Sequence, residues 1–129
     1  MTEPTARFVV ILNRDLMFGS KISSAVKIHG LTPRFVRDTA EFVVTIREAS
    51  DEAVLGIIDM NGAIDWVQVA ALTADPAVAT PLLGFGPHVD IDGRRAAKQA
   101  GMTRILSNGE FHRDTADMII RYARSSKEG

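Results

Sequence analysis

Residues Val54-Leu55-Gly56-Ile57-Ile58 are apolar without alternation, so a strand built from them has no face suited to water. Such a strand fits a parallel sheet covered by helices on both sides far better than a half-exposed antiparallel one. The run closes on Asp59, and Met60-Asn61-Gly62 behind it is a turn-forming sequence. A carboxylate in that place stands on the rim where the carboxyl ends of parallel strands open a crevice, the usual seat of chemistry in such folds.

The rest of the chain supplies partners for that strand. Phe8 to Leu12, Pro33 to Val36, Leu82 to Phe85 and Arg104 to Leu106 read as further strands. Between and after them, apolar residues recur at helical spacing: Ile22, Ala25 and Val26; Phe42, Val43 and Ile46; Val67, Ala70 and Ala71 with Trp66; Ala96, Ala97 and Ala100; and Ala116, Ile119, Ile120 and Ala123. Asp38 or Thr39, Asp92 and Asp114 are the expected starts of the second, fourth and fifth helices, and Gly30 and Gly101 are expected stops. Five strands alternating with five helices predict an α/β, doubly wound, flavodoxin-like three-layer sandwich, its parallel sheet in the order 2-1-3-4-5. With 129 residues and 46% hydrophobic content, one domain over 7–124 is expected, with flexible ends at 1–6 and 125–129.

Charge and composition remove several classes of function. A formal net charge of -1, with acidic and basic residues interspersed, gives no general electrostatic drive toward nucleic acid or an anionic membrane. The apolar stretch after the polar start ends by Leu12, too short for a signal or membrane-spanning segment, and there is no cysteine for disulfides or thiolate chemistry. Together these favour a soluble, cytoplasmic protein. In the predicted strand order the first and third strands are neighbours, so Asn13, Arg14 and Asp15 are expected beside Asp59, roughly 5 Å away at inter-strand spacing.

At these residues the chain resembles the receiver domain of two-component response regulators, from Arg7 to about Arg124. The landmarks are Asp59 closing the third strand, Thr80-Pro81 before the fourth, Gly101 before the fifth, and Ile105-Leu106 leading into a loop that closes with Phe111. The resemblance implies two acids after the first strand to hold Mg²⁺, a phosphate-accepting aspartate after the third, a Ser or Thr after the fourth and a Lys after the fifth. Here Asp59 keeps the phosphoacceptor position, with Met60 and Asn61 behind it. Asn13 and Arg14 take the place of the acidic pair, with Asp15 one step on; Gly86 stands where the hydroxyl is expected; Ser107-Asn108-Gly109 replaces the Lys-Pro turn.

Phosphoryl transfer depends almost wholly on positioning and charge stabilisation. Losing one preorganised donor costs about 10²- to 10³-fold in rate, and losing a bridging metal removes roughly several kcal/mol more. Arg14 is expected to pair with Asp59 and fill the space of the metal. The expectation is therefore a stand-alone pseudo-receiver, not an enzyme, with no cofactor, signalling through protein contacts with a histidine kinase or an output protein, or as a homodimer. Two alternatives use the same rim: Mg²⁺-dependent phosphorylation of Asp59 with Asp15 as the surviving metal ligand, or a small-ligand or anion sensor built from Arg14, Ser107, the Gly86 loop and Asp59.

Arg94, Arg95 and Lys98 on the fourth helix and Arg121, Arg124 and Lys127 on the last read as solvated faces; in receiver topology these helices form the contact surface, which singles out Arg95, Met118 and Tyr122 as interface candidates. Gly84-Phe85-Gly86-Pro87-His88 lacks the residues of a phosphate-binding fingerprint and reads as a turn. His88-Val89-Asp90-Ile91-Asp92 supplies too few convergent ligands for a metal and reads as a loop with an Asp cap. His29 is expected at a helix end and His112 in a polar loop, neither with a nucleophilic partner, and Trp66 as a partly buried helix residue.

Overall fold

The computed structural model describes residues 7–124, so the expected flexible ends at 1–6 and 125–129, and Lys127, lie outside the described residues. Strands β1 (Phe8–Leu12), β2 (Thr32–Val36), β3 (Ala53–Asp59), β4 (Leu82–Gly86) and β5 (Arg104–Ser107) form one sheet in the order β2-β1-β3-β4-β5. Every pairing is parallel. All seven residues of β3 are buried, which is why its sequence has no polar alternation.

Helices α1 (Leu16–Ile28), α5 (Asn108–Arg113) and α6 (Thr115–Tyr122) cover one face, and α2 (Thr39–Glu48), α3 (Trp66–Thr73) and α4 (Ile91–Gln99) the other. Period-two alternation divides each central strand between the two cores. Val9, Ile11, Leu55, Ile57, Leu83 and Phe85 join Ile22, Val26, Phe111 and Ile119, whereas Val10, Leu12, Ile58 and Leu82 join Phe42, Ile46, Val69 and Leu72.

Two sequence expectations need correction. The fourth helix is capped by Asp90, not Asp92: Asp90 Oδ1 accepts from Gly93 N at 3.0 Å, while Asp92 falls inside the first turn. The loop expected between β5 and the last helix is the short helix α5, because Ser107 and Glu110 form a reciprocal capping box: Glu110 N donates to Ser107 Oγ at 3.1 Å and Ser107 N to Glu110 Oε1 at 2.9 Å. The described residues therefore hold six helices rather than five.

At the edge of the sheet opposite the rim, the two ends of the domain are fastened together. Arg7 Nη2 donates to Arg124 O at 2.6 Å, Arg124 N to Val54 O at 2.8 Å, and Arg124 Nη2 to the carbonyls of Ser50 and Asp51 at 2.7 and 2.9 Å. No helix among the described residues is long and apolar enough to cross a membrane.

Candidate functional site

Parallel register aligns Leu12 with Ile58 and Gly86 with Ser107, so Asn13, Asp59, Gly86 and Ser107 meet on one rim. Asp59 is only 6% exposed, and its Oδ1 accepts two hydrogen bonds from Asn61, from the backbone N at 2.9 Å and from Nδ2 at 2.7 Å. The same Nδ2 donates its second hydrogen to Asn108 Oδ1 at 3.0 Å, and Asn108 Nδ2 returns a bond to Asn61 Oδ1 at 3.2 Å. The amide of Asn61 thus has both hydrogens and its oxygen engaged. A continuous chain of polar contacts, Asp59 to Asn61 to Asn108, crosses from the end of β3 to the start of α5.

The β1 side of the rim is organised differently from expectation. Asp15 Oδ1 caps α1, accepting from Met17 N at 2.9 Å and Phe18 N at 3.3 Å, and Asn13 Nδ2 donates to Asp15 O at 2.7 Å. Arg14 forms no ion pair among the described residues, so the expected pairing with Asp59 is absent. Its stem lies against the loop after β3 instead: a Cβ on Gly62 would sit 3.0 Å from Arg14 Cδ. The amide of Asn61, two residues after Asp59, already holds the carboxylate that the guanidinium would have to reach.

Met60 explains the glycines of β4. A Cβ on Gly86 would sit 3.0 Å from Met60 Cβ, and one on Gly84 would sit 2.8 Å from Met60 Sδ and 3.0 Å from Met102 Cε. The space in which a hydroxyl is expected after β4 is thus filled by a methionine, and the glycines serve packing rather than a phosphate loop.

His112, expected in a polar loop, lies instead on α5 among aromatic rings. It stacks on Phe18 at 3.9 Å between centroids and meets Phe85 and Phe111 edge-on at 5.1 and 5.2 Å. Both ring nitrogens are buried without a hydrogen-bond partner among the described residues. Burial, with a smaller contribution from Lys21, holds the imidazole below its ordinary range, and the carboxylates of Asp59 and Asp15 oppose that shift. The sequence signal that could have placed His112 on a helix was Ser107-x-x-Glu110, the pattern of the cap.

The remaining candidates are scattered. Met118 and Tyr122 are partly buried against the α1/α6 core, while Arg95 is exposed and lies 4.0 Å from Asp92. Trp66 packs partly buried on the other core. His29 Nε2 lies 2.8 Å from Ala116 O. Among the described residues no three His, Asp or Glu side chains cluster as metal ligands. At the rim end of α1, Leu16 and Met17 are 92% and 80% exposed.

A five-stranded, doubly wound sheet in this order, with an acid closing β3, is the fold of response-regulator receivers. Among solved structures the chain is similar to the chemotaxis protein CheY4 of Vibrio cholerae, with a TM-score of 0.72 at 16% identity, covering 92% of this chain and 99% of that one. It is similar as well to the signal receiver domain of the response regulator NarL from Mycobacterium tuberculosis (TM-score 0.69, 17% identity, 92% and 96% covered). The phosphorylated cyanobacterial phytochrome response regulator RcpA gives a TM-score of 0.70 at 14% identity, with 91% and 94% covered. No family model matches the sequence, and no curated protein matches it.

Proposed function

We propose that this chain is a signalling module of receiver fold that acts through protein contacts, with a histidine kinase or an output protein as partner, and without Mg²⁺-dependent phosphorylation of Asp59. The observation that carries this reading is the engagement of Asp59 by Asn61, itself tied to Asn108. An acceptor carboxylate must offer its oxygens to a metal and a phosphoryl donor, and here one oxygen already receives two hydrogen bonds.

The donor set does not suit Mg²⁺, which is held by carboxylates at near-ideal octahedral positions. Asp15 spends an oxygen on the α1 cap, and Asn13 and Arg14 offer an amide and a cation where acids are needed. Met60 takes the room of the hydroxyl, and Ser107-Asn108-Gly109, with no cation, stands in place of the Lys-Pro turn. Leu16 and Met17, bare to solvent beside this rim, suit a docked protein better than a hydrated ion.

Incubation with Mg²⁺ and acetyl phosphate followed by intact-mass measurement tests the proposal. The expected spectrum is that of the unmodified protein; a stable phosphoryl adduct mapped to Asp59 would overturn it.

A further inference from the structure

Between α1 and the end of β2 lies a cavity of about 530 Å³ that neither Asp59, Asn61 nor Asn108 lines. We propose that it binds a small organic anion: a flat aromatic body carrying one carboxylate.

The size falls within the range of small-molecule pockets. Its apolar wall consists of Leu16 and Phe35, 92% and 43% exposed, two large side chains with apolar surface that a flat ring would remove from water. Gly19 keeps the floor open from within helix α1, where glycine is otherwise unfavourable; a Cβ there would reach within 3.6 Å of the Phe35 ring and 3.1 Å of Asn13 Nδ2.

The polar wall supplies the charge preference. Arg14 and Arg37 line the cavity, and neither makes an ion pair among the described residues. A guanidinium fork matches a carboxylate bidentately. Because Asn13 and Arg14 lead directly into the Asp15 cap, a ligand there would sit on the same rim as Asp59, one strand away from it.

Nuclear magnetic resonance titration of the nitrogen-labelled protein with naphthoate, naphthamide and inorganic phosphate tests the site. Naphthoate is expected to give saturable shifts at the amides of Gly19, Ser20, Phe35 and Arg37, with naphthamide and phosphate each binding about tenfold or more weakly, as loss of a charge-assisted contact implies. Ser20→Trp, on an exposed helical position, should block the cavity, and the double change Arg14→Ala with Arg37→Ala should weaken naphthoate about tenfold, both with thermal midpoints kept. No shift up to concentrations on the order of 1 mM, equal affinity for the amide or for phosphate, or undiminished binding in either variant would overturn the assignment.

Discussion

Asn61 and Asn108 exchange two amide hydrogen bonds, 3.0 and 3.2 Å long, although 47 residues separate them in the chain. The pair ties the loop after β3 to the first turn of α5, and through Asn61 it reaches the carboxylate of Asp59. It spans the rim from the end of β3 to the start of α5, so its strength is the first quantity to measure.

A double-mutant cycle isolates it. Asn108→Ala removes only the pair, whereas Asn61→Ala also removes one bond to Asp59. The coupling energy from urea denaturation should be about 0.5–1.5 kcal/mol, the range of neutral side-chain hydrogen bonds. Strict additivity of the two losses would mean that the amides do not pair in solution.

Met60 and the β4 glycines form a second testable unit. Gly86→Ala places a methyl 3.0 Å from Met60 Cβ, against a backbone-proximal atom that cannot swing away, and should destabilise by roughly 1–3 kcal/mol. Met60→Ala in a Gly84→Ala background should recover part of the cost of that glycine change, since the nearest clash there is the flexible Met60 Sδ at 2.8 Å. Absence of any recovery would assign the Gly84 cost to Met102 instead.

His112 predicts a pH dependence. Its folded-state proton affinity is lowered, chiefly by burial, so below the unfolded imidazole value of about 6.5 the unfolded chain takes up a proton that the folded site resists. Stability from this group is complete above that value, falls as pH drops through it, and stops falling once the folded imidazole also protonates. His112→Phe keeps a ring against Phe18 and should flatten the decline in urea midpoint between about pH 7 and pH 5. Parallel curves for the two proteins would remove His112 as the source.

Gly30 and Gly101 both have positive φ, 75° and 88°, but differ in surroundings. A Cβ at Gly30 meets nothing within 4 Å, whereas one at Gly101 would sit 2.6 Å from Thr73 Oγ1 and 3.0 Å from Thr73 Cβ. Gly30→Ala should therefore cost about 1–2 kcal/mol for left-handed backbone alone, and Gly101→Ala more. Equal thermal losses would show that Thr73 yields without cost.

Strand order and the rim position of Asp59 were legible because both follow from patterning: β3 is apolar on both faces, and parallel strands end together. The absence of the receiver's usual side chains could likewise be read from Asn13, Arg14, Gly86 and Asn108 in the sequence. What replaces them could not. Whether Arg14 or Asn61 holds Asp59 depends on the path of a turn and on rotamers, which no periodicity encodes. The role of Met60 beneath Gly84 and Gly86 is likewise a packing fact across two strands. Helix α5 is a different case, since Ser107 and Glu110 announced it at capping-box spacing and the glycine between them masked it.

The clasp of Arg7 on Arg124 holds the two ends of the described residues together, at the end of the sheet opposite Asp59. A fluorophore, affinity handle or surface anchor joined to the chain through Arg7 or Arg124 would leave the described body from that end rather than from the acid-bearing one. Immobilised this way, the molecule presents Leu16, Met17 and the Asn61–Asn108 bridge outward, the orientation that surface-based screening of binding partners requires.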